Sequence, residues 1–233
     1  MIPAVLSVDG VSAGYGSTPV LHDLSLHVAP GEIVCVLGRN GVGKSTLLKA
    51  VIGIVRPTAG KITVTSREVT RLRSCRIARQ GVTYAAQEHG LFANLSVRDN
   101  LRLAANGKLD EALSQASGLF DFIGSRLNQR AGTLSGGEQK MLLTARALAG
   151  QPKLALLDEI SEGVQPSLIT GLHEAVAQAN GAHGTAVLLV EQNVEFALSV
   201  ASRFYVVEKG HVVASGATSD DDAESVIHSH LVV

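Results

Sequence analysis

Gly38-Arg39-Asn40-Gly41-Val42-Gly43-Lys44-Ser45-Thr46 follows the apolar run Ile33-Val34-Cys35-Val36-Leu37 and precedes a helical pattern of Leu47, Leu48, Val51 and Ile52. Strand, glycine-rich turn, helix is the setting that a phosphate-binding loop requires. The glycines let backbone N–H groups turn inward and approach phosphate oxygens where a Cβ would block them. The start of the helix adds unpaired N–H groups and a partial positive charge. In that reading Lys44 reaches the β- and γ-phosphates and the Ser45 hydroxyl ligates Mg²⁺. The plain alternative is an ordinary glycine-rich strand–helix turn; the flanking elements favour the phosphate loop.

The 233 residues make one large domain or two small ones, with room for a substantial core. Apolar residues make up 45% and charged residues 18% of the chain, as in ordinary globular proteins. Twenty basic and 21 acidic side chains leave a net charge of −1, with no long run of either sign, so nucleic acid is not an expected partner. Cys35 and Cys75 lie far apart, and Cys35 falls inside a buried strand, so neither a disulfide nor a metal site is expected. The opening Met1-Ile2-Pro3-Ala4 lacks the pattern of a signal peptide, and the longest apolar runs fall short of the ~18 residues that span a bilayer. A cytoplasmic location is expected.

Taken in order, residues 5–9 read as a short strand and Ala13-Gly14-Tyr15-Gly16 as a turn. Leu24, Leu26 and Val28 alternate with polar residues in a half-buried strand. The spacing then predicts the buried strand 33–37, the first helix with Gly53 at its end, a turn over Arg56–Gly60, and strands at Ile62–Val64 and Val82–Tyr84. Ser96-Val97-Arg98-Asp99 resembles a capping box opening a helix through about Ala105. Further helices are predicted over 109–120 and from Glu138 to Ala149. Buried strands at 154–157 and 186–190 then alternate with helices at 167–179 and 194–201, before a hairpin around Lys209-Gly210. Asp220-Asp221-Asp222 reads as a solvated turn. Buried strands alternating with helices indicate an α/β fold with a mainly parallel central sheet. The opening third is mostly β-structure around the phosphate loop, and a helical stretch of about 88–150 reads as an insertion into the sheet.

Two further motifs carry chemistry. Leu154-Ala155-Leu156-Leu157-Asp158-Glu159 is an apolar strand ending in two carboxylates. Beside a phosphate loop this suits a nucleotide hydrolase: Asp158 supports Mg²⁺ and Glu159 polarises the attacking water. Alone, an Asp-Glu pair at a strand end is usually an exposed turn. Leu134-Ser135-Gly136-Gly137-Glu138-Gln139 stands directly before a helix. It reads either as a second anion-binding helix start or as an N-cap with a flexible lead-in.

In this order and spacing, the three motifs resemble the ATP-binding subunits of ABC transporters over nearly the whole chain. The resemblance implies a single P-loop ATPase cassette over 1–233 that uses ATP and Mg²⁺, with an N-terminal antiparallel β-subdomain and catalytic core over about 1–87 and 151–233 and a helical subdomain inserted over about 88–150. It assigns Gly38, Arg39, Asn40, Gly41, Val42, Gly43, Lys44, Ser45 and Thr46 to the nucleotide phosphates. Tyr15 takes the place of the aromatic ring stacked on adenine. Gln87 takes that of the loop glutamine which touches Mg²⁺ and the lytic water, joining Ser45 and Asp158 at the metal. In the family two such subunits pair head to tail, so Ser135, Gly136, Gly137 and Glu138 would face the ATP held by the partner's phosphate loop.

Several departures narrow the branch. Relatives commonly carry histidine where Gln192 stands, and end the segment after the carboxylates with Leu-Asp where this chain has Val164-Gln165. With Gln151-Pro152-Lys153, these features resemble one of the two ATPase subunits of importers for branched-chain amino acids, or for urea and short amides. Ile160 and Ala86 each replace a common proline, which bears on the loop after Glu159. Gln192 can hydrogen-bond the γ-phosphate but cannot carry a proton or positive charge as histidine can. The resemblance thus makes Glu159 and Gln192 the catalytic residues. It implies as partners a second ATPase subunit, in a heterodimer, and two membrane permease subunits, with a periplasmic or extracellular binding protein acting indirectly. Leu91 and Phe92 would contact the permeases, or pack on the insertion. The chain would lie on the inner face of the membrane. The alternatives are an ATPase for a lipid or lipopolysaccharide exporter and a soluble ABC ATPase without a transport role.

Overall fold

The computed structural model describes residues 3–87, 90–105 and 107–231. The chain opens with β1 (Leu6–Tyr15), β2 (Thr18–Val28) and β3 (Ile33–Leu37), then α1 (Lys44–Val51), β4 (Pro57–Val64), β5 (Arg67–Glu68), α2 (Ser74–Ala78) and β6 (Val82–Ala85). A helical run follows: α3 (Val97–Arg102), α4 (Leu109–Leu119), α5 (Asp121–Ser125) and α6 (Gly136–Leu148). The remainder is β7 (Leu154–Asp158), α7 (Pro166–His183), β8 (Ala186–Glu191), α8 (Val194–Val200), β9 (Arg203–Glu208), β10 (His211–Ala217) and α9 (Ala223–Leu231).

The strands form two sheets. The smaller is antiparallel with order β2-β1-β4-β5, and the larger has order β10-β9-β3-β8-β7-β6. In the larger sheet β9, β3, β8, β7 and β6 pair in parallel, and only β10 runs antiparallel. Every residue of β3, β7 and β8 is buried. Their period-2 alternation divides the side chains between two cores. Cys35, Leu37, Leu157 and Leu189 join α6 and α7 on one face, while Val34, Val36, Leu156 and Val190 join α1 and the smaller sheet on the other. Buried on both faces, such strands are apolar up to their carboxyl ends, where β7 closes on Asp158 and β8 on Glu191, which is why their apolar runs are unbroken in the sequence.

Corrections concern mainly the smaller sheet. Tyr15 ends a strand, so the turn expected over residues 13–16 is confined to Gly16 and Ser17. The turn expected over Arg56–Gly60 is instead the exposed first half of β4, where Ser12 pairs with Ala59 and Ala13 with Pro57. Its Pro and Gly residues are tolerated beside the irregular register that β1 shows there. The short helices α2 and α5 and the final helix α9 were not anticipated. Ser96 does cap α3, its side chain accepting from the Asp99 N–H. Cys35 is buried and Cys75 exposed, both as free thiols. No described helix is long and apolar enough to cross a membrane.

Candidate active site

Adjacent parallel strands deliver the chemistry to one edge. The loop Gly38–Gly43 follows β3, Gln192 follows β8, Glu159 follows β7 and Gln87 lies two residues beyond β6. In register, Leu37 stands beside Glu191, Asp158 beside Val190 and Ala85 beside Leu157. Ligands of open parallel sheets bind outside the carboxyl ends of their strands, because there the loops diverge and helix N-termini converge.

Glycine is required at two points of the loop. A Cβ on Gly38 would come within 2.5 Å of the Val207 carbonyl oxygen, and Gly43 caps α1 at φ 111° with Leu21 against it. The Gly210 N–H donates to the Val42 carbonyl at 3.0 Å, tying the tip of the β9–β10 hairpin to the loop. Arg39, Asn40 and Gly41 are exposed at the tip, while Lys44 and Thr46 are buried. Lys44 Nζ donates to the carbonyls of Gly38 (2.8 Å) and Arg39 (3.1 Å) and forms an ion pair with Glu159 Oε1 at 3.1 Å. A cavity of 440 Å³ opens over the loop, lined by Tyr15, Asn40, Lys44, Ser45, Gln87 and Glu159 among others. Tyr15 is half exposed at its rim.

Asp158 is buried, with both oxygens engaged: Ser45 Oγ donates to Oδ1 at 2.8 Å and Tyr84 OH to Oδ2 at 2.7 Å. Burial, and then the neighbouring Asp158 carboxylate, push the Tyr84 hydroxyl well above its ordinary value, so it remains a donor. The hydroxyl of Ser45, the carboxylate of Asp158 and the amide oxygen of Gln87 are hard oxygen donors. That donor set fits Mg²⁺, which combines one or two carboxylates with substrate phosphates.

Glu159 is buried in the left-handed backbone region at φ 49°, a placement that costs a non-glycine residue of order 1 kcal/mol. Its backbone is held at both ends: its N–H donates to the Val190 carbonyl at 3.0 Å, and Lys140 Nζ donates to its carbonyl at 2.8 Å. Gln87 Nε2 donates to Glu159 Oε2 at 2.6 Å and to Glu162 Oε2 at 2.7 Å. Beyond Glu159 lies a second cavity of 320 Å³, lined by Glu159, Ser161, Glu162, Glu191, Gln192 and Asn193 among others. Glu159 therefore walls both cavities, facing Lys44 on one side and exposed Gln192 on the other. Glu191 is buried, which raises its carboxyl above the ordinary value. It accepts from the Ser161 N–H (3.0 Å) and Oγ (2.8 Å) and pins the following loop to the end of β8. Ile160, where a proline is common, is fully buried in the core.

The glycine pair before α6 stands apart. Ser135, Gly136, Gly137 and Glu138 do not border the cavity around Lys44. Ser135 and Glu138 form a complete capping box, and Arg126 pairs with Glu138 at 2.7 Å. The Ser135 N–H, ahead of its hydroxyl and Arg126, holds the Glu138 carboxyl below its ordinary value despite some burial. Gly136 is exposed with open space where a Cβ would stand. The segment is thus an N-cap by its own bonds, and its glycine still presents bare backbone to solvent. Sequence reading missed Tyr84, Lys140, Glu162 and Glu191. Tyr84 fell in a predicted strand, but no sequence signal placed that strand beside β7.

The profile of the ABC transporter family matches residues 21–162. A high-affinity branched-chain amino acid transport ATP-binding protein, BraG of Pseudomonas aeruginosa, is 40% identical over 90% of this chain and 91% of its own length. The lipopolysaccharide export system ATP-binding protein LptB of Escherichia coli is 35% identical over 93% and 92%. Among solved structures, an ATP binding subunit of an ABC transporter superposes with a TM-score of 0.83 at 26% identity, over 96% of this chain and 94% of that one. The two-sheet architecture with its helical insert is accordingly the ABC cassette fold.

Proposed function

This chain belongs to the ABC transporter ATP-binding family, and from that premise we propose that it powers an importer of branched-chain amino acids, or of urea and short amides. As a family member it binds ATP and couples its hydrolysis to transport. The importer reading is carried by the likeness to BraG across nine-tenths of the chain. Gln192 and Val164-Gln165 point the same way.

In this reading the amides of Gly38–Gly43 and the start of α1 cradle the phosphates, Lys44 neutralises the terminal ones, and Tyr15 stacks on the base. Ser45, Asp158 and Gln87 hold Mg²⁺, which when bound offsets charge on the phosphate oxygens. Glu159 accepts a proton from the attacking water, and Gln192 contacts the γ-phosphate from the second cavity. Two chains pair so that Ser135–Gly137 of one close on the nucleotide of the other. The second subunit is a related ATPase, which makes the dimer a heterodimer. The segment about 88–150 acts as a helical insertion within one domain of 233 residues.

A groove of 740 Å³, lined by Arg79, Thr83, Tyr84, Phe92, Leu103 and Arg146 among others, suits a cytoplasmic loop of a permease. Phe92 is exposed there, whereas Leu91 packs against the core. Two permeases would hold the ATPases to the inner face of the membrane, with a binding protein delivering substrate on the far side.

The test is copurification with the membrane proteins encoded beside this chain, followed by ATPase assay in proteoliposomes. Stimulation by binding protein loaded with a branched-chain amino acid, urea or a short amide supports the importer. The likeness to LptB favours a second reading, lipopolysaccharide export. Stimulation by lipopolysaccharide with no response to those solutes would establish that reading instead.

A further inference from the structure

Gln87 donates through one nitrogen to two carboxylates, Glu159 and Glu162, at 2.6 and 2.7 Å. A carboxylate only accepts, and an amide NH₂ has two hydrogens, so this arrangement uses both N–H bonds and fixes which end of the amide is nitrogen. The amide oxygen then points away from the carboxylates. Gln87 lines the cavity that holds Lys44 and Ser45, and among the described residues its oxygen has no hydrogen-bond partner.

Glu159 alone is a poor anchor for that orientation. Its other oxygen is already shared with Lys44, and a general base must turn toward water during turnover. Glu162 carries no such second duty. It follows Ser161, whose N–H and hydroxyl are both held by buried Glu191 at the end of β8. A continuous set of contacts therefore runs from the sheet through Glu191 and Ser161 to Glu162 and the Gln87 amide.

We propose that Glu162 is a positioning residue that aims the Gln87 amide oxygen at the Mg²⁺ of bound nucleotide. This rests on the reading of Gln87 as a metal-facing residue. Partners that orient a metal-facing group are worth about 10- to 100-fold in metal affinity.

The experiment measures equilibrium binding of a fluorescent non-hydrolysable ATP analogue to the full chain, once in EDTA and once in excess Mg²⁺. Glu162→Ala is expected to leave the metal-free Kd unchanged within about twofold, and to forfeit roughly tenfold of the affinity gained with Mg²⁺. Glu162→Gln, whose amide oxygen still accepts from Gln87, is expected to retain most of that gain. Gln87→Ala separates the two levels of the argument. If Gln87→Ala loses the gain while Glu162→Ala keeps it, the role of Glu162 is overturned and that of Gln87 stands. If Gln87→Ala keeps the gain, both fall. Equal weakening by Glu162→Ala with and without metal would show general damage to the site and would also overturn the proposal.

Discussion

Lys44 Nζ and Glu159 Oε1 meet at 3.1 Å with 3% and 6% of their side-chain surfaces exposed, so the lysine of the glycine-rich loop sits on the carboxylate that follows β7. The pair satisfies two charges that burial would otherwise make costly. Under the proposed function, a phosphate that draws Lys44 away would also release Glu159 toward the second cavity, which Gln192 lines. In that reading, nucleotide occupancy and activation of the base would be linked through one contact.

Removing only the cation should expose that linkage as instability. Lys44→Met is expected to abolish nucleotide binding and to lower stability by about 3 kcal/mol, because it strands a buried carboxylate. Thermal denaturation of Lys44→Met, Glu159→Gln and the double variant checks this. The double variant should recover much of the loss; additive losses would mean the pair is not coupled.

Glu159→Gln keeps the shape of the side chain and removes the base. Hydrolysis is expected to fall by about 10²–10⁴-fold while ATP binding persists. Binding should hold or strengthen, since Lys44 no longer has a competing carboxylate. Substantial residual turnover in the assembled transporter would undo the assignment of the base.

Gln192→His restores a group able to carry positive charge beside the γ-phosphate. If that charge matters, turnover of the assembled transporter should rise by tenfold or more, equivalent to about 1.4 kcal/mol. An unchanged or lower rate would show glutamine to be fully competent here.

Ser135→Ala separates capping from chemistry. Loss of the cap on α6 should cost about 1 kcal/mol in chemical denaturation. Nucleotide affinity of the isolated chain should not change, because Ser135 does not border its own phosphate cavity. Turnover of the paired ATPases should fall; unchanged turnover would argue against completion of the site in trans.

The Glu32–Arg203 pair gives a pH dependence. Burial works against the Glu32 carboxylate, but Arg203 at 2.7 Å and the Ala29 N–H outweigh it and hold its pKa below the ordinary 4.5. A carboxyl lowered in the folded state contributes stability that is complete above 4.5 and lost as pH falls through its folded value. The melting-temperature gap between the natural chain and Glu32→Gln should therefore be full at pH 7 and shrink below pH 4.5. A gap that persists into stronger acid would remove the pair as its cause.

The parallel sheet and its glycine-rich loop were legible because their signals are local. A strand buried on both faces must be apolar throughout, as Ile33–Leu37 and Leu154–Leu157 are, and a backbone that wraps phosphate must place glycine before Lys44. Pro57–Gly60 misled for the converse reason. Those residues are exposed, and cross-strand pairing with β1, rather than their own propensity, makes them a strand. By itself, then, the sequence determined the fold class, the glycine-rich loop between β3 and α1, and two carboxylates at the end of β7. Tertiary structure alone decided that Tyr84 and Lys140 converge on Asp158 and Glu159, that Gln87 bonds both Glu159 and Glu162, and that Glu159 divides two cavities. Tyr84 and Asp158 lie 74 positions apart, and only the pairing of β6 with β7 brings them within 2.7 Å. Periodicity reports which face a residue takes, not which distant residue shares it.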